Sequence, residues 1–299
     1  MQILVEIARL YYDHFDTFIE PLSKFTFEMA QTGSDQVAAQ AIEFWSTICE
    51  AERERQLVGR GNERVSRLLE PLLELLLECI QRINFEEEED DEVWGASASS
   101  VCCLRVLAQY AGNKVIERVI SFASTQLTSD EWKRKHVALV ALGAILDGPD
   151  RRKLAQLFQE VVNFALVPCY DNVSVRVRET SAWVFSQIAE FLPEVLVGGD
   201  FAQLLQKFCI GLKDTPAIAN YNCAIISELA KSIAPTKGET TNALSPYLAE
   251  LFMPLIQCAS RPDACETNVN LSMSAFSALA NLAQYAAQEA KEALTGMIE

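Results

Sequence analysis

The chain has 299 residues, of which half are hydrophobic and 22% are charged, so a disordered polypeptide is excluded and a large core is possible. Its 41 Asp and Glu residues outnumber its 25 Lys and Arg residues and give a net charge of −16. This charge disfavours nucleic acid and anionic membranes and favours basic protein partners, although it could also serve solubility alone. No run of about 18 apolar residues occurs, so the sequence predicts no membrane insertion.

Apolar residues recur at helical spacing from the amphipathic start onward, and strand patterns are nearly absent. Six segments combine small residues with an Ile or Leu one position before their end: 41–49, 100–108, 138–146, 181–189, 223–230 and 275–283. The intervals between these Ile or Leu anchors are 59, 38, 43, 41 and 53 residues. Three of the intervals lie near the period of about 40–47 residues that is typical of HEAT or armadillo repeats.

Leucine- or phenylalanine-rich stretches come before most of these segments, at 16–30, 67–80, 151–166, 201–212 and 244–259. Each repeat is therefore predicted to contain an outer A helix and a B helix whose small residues allow close packing. Such pairs bury their apolar faces only by stacking. We predict an all-α fold, an α-solenoid of HEAT repeats that forms one domain over 1–299. It would hold about six or seven repeats, with B helices lining a concave surface.

The first long interval contains seven consecutive acids within a predicted insertion loop at 85–94: Glu86, Glu87, Glu88, Glu89, Asp90, Asp91 and Glu92. The loop is either solvated and self-repelling or a means of attracting a basic surface over about 8 Å, the Debye length at physiological salt. The interval indicates an insertion within one helical pair and not a boundary between domains. Trp94 follows the acids and either packs at the start of a B helix or binds a basic partner.

Trp183 lies four residues after Glu179 in a predicted B helix, so the two side chains share one face. An indole beside a carboxylate suits arginine, which stacks on the ring and pairs with the acid. Trp45 is predicted to be buried, which would leave Glu43 on another face of the same helix. Trp132 is predicted to cap or pack at a helix start.

Catalytic patterns are missing from the sequence. Its two histidines, His14 and His136, fall in different predicted repeats, and no His, Cys or carboxylate cluster has metal-ligand spacing. No phosphate-binding or dinucleotide-binding glycine motif occurs. The nine cysteines include no CxxC pair and are expected to be small buried residues in a reducing compartment. We therefore predict a non-enzymatic protein with no metal and no cofactor.

Five stretches resemble one family, the importin β (karyopherin β) nuclear import receptors: 40–52 (QAIEFWSTICEAE), 89–113, 138–150 (ALVALGAILDGPD), 175–194 (VRVRETSAWVFSQIAEFLPE) and 272–286. Their order covers nearly the whole chain and resembles the middle third of such a receptor. Transportin-like receptors share some of these features but have a longer acidic loop. One departure is Ala224, which stands near the position where the family has a second arginine-stacking tryptophan.

The resemblance implies three kinds of partner. Ran GTPase would contact Glu43, Glu50 and the acids from Glu86 to Glu92. The basic domain of importin α, or a basic cargo protein, would contact Trp94, Glu179 and Trp183. Phenylalanines of FG nucleoporins would dock near Phe18 and Phe25, in a groove between A helices, although core packing is the alternative for these residues. The protein would shuttle between cytoplasm and nucleus through the pore. A structural HEAT scaffold of another complex is the rival interpretation.

Overall fold

The computed structural model describes residues 2–15, 17–60, 63–83, 95–235, 240–265 and 270–288, and the regular secondary structure of these residues is helical. The chain forms two compact units, Met1–Asp150 and Arg151–Glu299. The all-α prediction is confirmed, and the prediction of one continuous domain stays a prediction. Six of the nine cysteines are buried, consistent with their expected role as small core residues.

The first unit contains α1 (Gln2–Tyr11), α2 (Ile19–Thr32), α3 (Asp35–Leu57), α4 (Arg64–Arg67), α5 (Leu69–Ile80), α6 (Ala96–Ala111), α7 (Ile116–Leu127) and α8 (Trp132–Ala144). Helices α2 and α3, α5 and α6, and α7 and α8 pack together as the predicted A/B pairs. The B helices α3, α6 and α8 also pack on one another in that order. Helix α1 packs on α3, so it occupies a B-type position before the first complete pair.

The second unit contains α9 (Arg151–Val161), α10 (Val167–Tyr170), α11 (Val175–Phe191), α12 (Pro193–Val197), α13 (Phe201–Gly211), α14 (Pro216–Ser232), α15 (Leu248–Ala259) and α16 (Leu271–Tyr285). The pairs are α10 with α11, α13 with α14, and α15 with α16, and the B helices α11, α14 and α16 stack in sequence. Each unit thus repeats one arrangement, in which B helices contact B helices of neighbouring pairs.

The six sequence anchors explain this stacking, because all of them lie in the core. Ile48, Leu107, Ile145, Ile188 and Leu229 are fully buried, and Leu282 is 1% exposed. Small buried residues beside them, such as Ala41, Ala108 and Ala182, allow the B helices to approach closely. The repeat period read from the sequence is therefore the period of the core.

The predicted A helix at 151–166 differs from the observed one. It continues to Tyr170 as α10, and a π-helical turn, Val162–Leu166, separates α9 from α10. Pro168 explains the turn, since a proline cannot donate a helical hydrogen bond and its ring crowds the carbonyl four residues earlier. The wider turn accommodates that proline without ending the helix.

Candidate protein-binding surfaces

Helix α11 carries Glu179 and Trp183 on the stripe that its packing leaves uncovered. Val177, Ser181, Val184, Phe185 and Ile188 of the same helix are buried, whereas Glu179 and Trp183 are half-buried one turn apart. The Glu179 side chain is 28% exposed and its Oε2 lies 3.8 Å from Nη1 of Arg176. The predicted pair therefore shares one face, and its carboxylate is partly shielded from water.

Tyr221 of α14 lies within electrostatic reach of Glu179 and was not predicted as a site residue. It is half-buried. Burial raises the pKa of its hydroxyl above the usual range, and the negative charge of the Glu179 carboxylate raises this pKa further. The effect of Glu179 places the two side chains within electrostatic reach across the α11–α14 contact. A signal was available in the sequence, since Tyr221 precedes Ala224 by three residues and so shares its face.

Helix α3 holds Glu43 and Glu50 two turns apart, on one face. Glu43 is half-buried and Glu50 is exposed. Trp45 is fully buried, as predicted, and its Nε1 donates a hydrogen bond of 2.9 Å to Oγ1 of Thr26. The two acids therefore lie on a different face of the helix from Trp45.

An apolar groove lies between α1 and α2. Its volume is about 430 Å³, and its lining includes Leu4, Ile7, Tyr11, Phe15, Phe18, Pro21, Leu22 and Phe25. Phe18 and Phe25 are 60% and 45% exposed. Core packing is thus wrong for these two phenylalanines, whereas their neighbours Phe15 and Ile19 are buried.

The position of this groove corrects one expectation. The groove was expected between two A helices, but one of its walls is α1, which packs on α3 as B helices pack on each other. The other wall is the A helix α2, as expected. Among the groove residues, Leu4 belongs to α1 and Phe25 to α2.

The acidic run and Trp94 lie outside the described residues, so Glu86, Glu87, Glu88, Glu89, Asp90, Asp91, Glu92 and Trp94 have no position here. The flanking helices α5 and α6 pack against each other. The Ser97 hydroxyl donates a hydrogen bond of 3.1 Å to the Ile80 carbonyl, and Ala96 N–H donates one of 3.1 Å to Asp35 Oδ1. The helices before and after the acids therefore belong to one A/B pair.

A buried polar cluster in the first unit was also missed by sequence reasoning. Glu52 is fully buried, and its Oε1 accepts hydrogen bonds from the Tyr12 hydroxyl (2.8 Å) and from the Arg64 backbone N–H (2.6 Å). The Arg64 guanidinium is also buried, lies 4.3 Å from the Tyr12 ring centroid and donates to the Tyr12 carbonyl. Every charged group of this cluster is enclosed by protein, so its role is structural.

The described residues include no group of three or more His, Cys, Asp or Glu side chains arranged to hold a metal ion. In the same part of the chain, no helix has both the length and the apolar content to cross a membrane. The candidate binding surfaces described above are the acidic and aromatic residues of B helices and the α1–α2 groove.

Comparison with known proteins finds relatives among importin β subunits and transportins. Residues 203–299 match the family described as importin subunit beta-1-like, TPR repeats. Importin subunit beta-1 of Saccharomyces cerevisiae is 30% identical over 300 residues, which cover 97% of this chain and 34% of the relative. The chain thus spans about a third of the length of the curated relatives it matches.

Solved structures agree with the sequence matches. The chain superposes on the structure described as the Kap95:Nup1 complex with a TM-score of 0.88 and 28% identity, over 98% of this chain and 34% of that one. It matches a Kap95p structure with RanGDP with a TM-score of 0.87 and 27% identity, over 99% of this chain and 36% of that one. The chain therefore belongs to the importin β, or karyopherin β, family and has the HEAT-repeat solenoid fold of that family.

Proposed function

We propose that this chain is the central part of a nuclear import receptor, which binds importin α or a basic cargo protein on its B helices. The observation that carries the proposal is the Glu179–Trp183 pair, a partly shielded carboxylate and an indole on one uncovered helix face of an importin β family member. A guanidinium stacks on the indole and pairs with the carboxylate at the same time. Trp94 is proposed as a second contact for the same basic partner.

Binding of an arginine-rich importin α peptide to the whole chain tests this proposal. Trp183→Ala and Glu179→Gln should each lower the affinity about fivefold to thirtyfold, the range of one cation–π or charge-assisted contact. Glu190→Gln, which removes an exposed acid elsewhere on α11, is the matched control and should change little. Unchanged affinity in both site variants would leave a structural scaffold as the better interpretation.

We infer that Ran GTPase contacts Glu43, Glu50 and the acids from Glu86 to Glu92. Two features support this inference: Glu43 and Glu50 share one uncovered face of α3, and a relative of known structure was solved with RanGDP. Glu43→Ala with Glu50→Ala should weaken binding of Ran·GTP more than Glu28→Ala, an exposed acid on the A helix α2. Equal binding by the two variants would remove α3 from the proposed Ran surface.

We propose that the α1–α2 groove accepts phenylalanines of FG nucleoporins, with Phe18 and Phe25 as its exposed walls. Its apolar lining and volume suit aromatic side chains bound weakly and repeatedly. The double variant Phe18→Ser, Phe25→Ser should bind an FG-repeat peptide more weakly than the unmodified chain does. A Ser-Gly version of the same peptide, which lacks phenylalanine, measures the background binding. Phe164→Ser, which removes a phenylalanine that is 83% exposed outside the groove, is the control.

These partners together define a receptor that shuttles between cytoplasm and nucleus and docks at the nuclear pore. The proposal includes no catalytic step, no cofactor and no nucleic acid. Localisation of the tagged chain at the nuclear rim, and its loss in the Phe18→Ser, Phe25→Ser variant, would test the pore association in cells.

A further inference from the structure

The B helices α11 and α14 meet at a defined register. Ile188 and Leu229 are the equivalent buried anchors of the two helices, 41 residues apart. The same offset makes Ala224 the counterpart of Trp183 and places Tyr221 next to the counterpart of Glu179. Tyr221 therefore lies at about the same position along α14 as Glu179 and Trp183 do along α11.

We propose that Tyr221 forms the second aromatic wall of an arginine-binding site whose first wall is Trp183 and whose base is Glu179. This inference rests on the proposed function, since it concerns the same basic partner. The counterpart of Trp183 on α14 is Ala224, and Tyr221, three residues earlier on the same face, is the aromatic residue of that helix. The occupant is one arginine side chain of a basic segment.

Burial and charge support this assignment. Tyr221 and Trp183 are both half-buried, so each side chain keeps part of its surface exposed to a ligand. Glu179 is 28% exposed, its negative charge reaches Tyr221 across the packed α11 and α14 helices, and Trp183 lies one helical turn from Glu179 on α11. An arriving guanidinium would meet a carboxylate with reduced hydration, where a charge-assisted bond is stronger than in bulk water.

The geometry favours arginine over lysine. A planar guanidinium stacks between two rings while its edge donates to a carboxylate, whereas an ammonium group acts as a strongly hydrated point charge. Arg176 is one of the neighbours of Glu179, at 3.8 Å, and its side chain is 44% exposed. A surface pair of this length and exposure is weak, so a ligand arginine that also stacks can displace Arg176.

Fluorescence titration of the whole chain with nonaarginine and nonalysine peptides tests the proposal, because the two probes carry the same charge. Tyr221→Leu keeps apolar bulk and removes the aromatic ring, and Tyr221→Phe keeps the ring. We expect Tyr221→Leu to lose about fivefold to tenfold in affinity for nonaarginine and less for nonalysine, and Tyr221→Phe to keep the arginine preference. Phe276→Ala, which removes an exposed aromatic residue of α16, should leave the preference unchanged.

Two results separate this inference from the proposed function. The role of Tyr221 would be overturned if Tyr221→Leu lost equal affinity for both peptides or kept its arginine preference unchanged. In that case, losses of affinity in Trp183→Ala and Glu179→Gln would still support the binding site itself. Unchanged affinity in Trp183→Ala and Glu179→Gln would overturn the site as a whole. Circular dichroism melting of Tyr221→Leu and Tyr221→Phe checks that both variants keep the fold.

Discussion

At the scale of single residues, Gly211 shows how tightly the second unit packs. The Tyr170 hydroxyl donates a hydrogen bond of 2.8 Å to Asn222 Oδ1 in the core. A Cβ atom added at Gly211 would lie 2.1 Å from the Tyr170 hydroxyl and 2.5 Å from Asn222 Nδ2. Only a glycine at this position allows α13, α14 and the end of α10 to meet around that hydrogen bond.

Gly211→Ala should lower the free energy of unfolding. Overpacking costs about 1–3 kcal/mol, and the better helix propensity of alanine returns about 1 kcal/mol, so the net loss should be up to about 2 kcal/mol. Urea denaturation followed by circular dichroism measures the change. Gly199→Ala is the matched control, because the nearest atom to its added Cβ is 3.9 Å away. A loss equal to that of Gly199→Ala would contradict the packing argument.

Asp214 links two neighbouring pairs and is expected to make stability depend on pH. Burial alone would raise its pKa, but hydrogen bonds from the Arg178 guanidinium and the Thr215 N–H outweigh burial and hold the pKa of this carboxyl below its usual value. Arg178 Nε lies 2.9 Å from Asp214 Oδ2, and Arg261 donates to the Asp214 carbonyl.

Because the pKa of Asp214 is lower in the folded state, its contribution is fully present above about pH 4, the ordinary range of aspartate. The contribution is lost as pH falls from there through the folded pKa. Asp214→Asn should therefore reduce the acid-induced drop in unfolding free energy below about pH 4. Urea titrations from pH 7 to pH 3 measure it, and an unchanged pH dependence would count against the Arg178 pairing.

At the scale of elements, the buried Glu52 cluster joins three helical segments of the first unit. Glu52 belongs to α3, Arg64 to α4, and Tyr12 to the 3-10 turn after α1. Burial and the hydrogen bond to Glu52 raise the pKa of Tyr12 above its usual range. Burial and the same carboxylate raise the pKa of Tyr110, on α6, to about 12. Four elements therefore depend on one buried carboxylate.

Glu52→Ala should destabilise the first unit by about 3–5 kcal/mol, since removing one member of a buried charged cluster leaves charge and donors without compensation. Glu52→Gln keeps an acceptor oxygen and should cost less. Glu54→Ala, an exposed acid on the same helix, should change stability by no more than about 0.5 kcal/mol. Urea titration measures the free energy of unfolding of each variant. Equal values for Glu52→Ala and Glu54→Ala would refute the role of the cluster.

At the scale of the whole molecule, the net charge of −16 sets the behaviour toward basic partners. Long-range attraction mainly raises association rates and is screened by salt. The seven acids from Glu86 to Glu92 concentrate part of this charge in one stretch of the sequence. Their expected effect is therefore steering and orientation of a partner.

Replacing these seven acids with Ser and Gly should slow association with Ran or with a basic importin α peptide, most strongly at low ionic strength, and should leave the melting temperature unchanged. Stopped-flow fluorescence at several salt concentrations measures the first effect, and circular dichroism melting the second. The control for net charge is a variant in which seven exposed acids of several A helices are replaced together by glutamine: Glu20, Glu28, Glu70, Glu78, Glu117, Glu160 and Glu250. A drop in melting temperature equal to the loss of binding would contradict a steering role.

The sequence by itself determined the repeat. Each B helix must bury one apolar stripe, and helical spacing makes that stripe recognisable in the sequence. The buried anchors of these stripes are Ile48, Leu107, Ile145, Ile188, Leu229 and Leu282. It also determined that Glu179 and Trp183 share a face, since that follows from a separation of four residues within one helix. The family resemblance, which the comparisons confirm, depended on motifs within these same helices.

Tertiary structure alone decided which residues meet across helices. Tyr12 and Glu52 are 40 residues apart in the chain, and Tyr170 and Asn222 are 52 apart. The same holds for Tyr221 beside Glu179 and for the exposure of Phe18 and Phe25 in a groove whose other wall is α1. Periodicity fixes which side of a helix is buried, but the partner of a given side chain depends on the register between helices. That register is set by packing many residues distant in the sequence, so no local pattern reveals it.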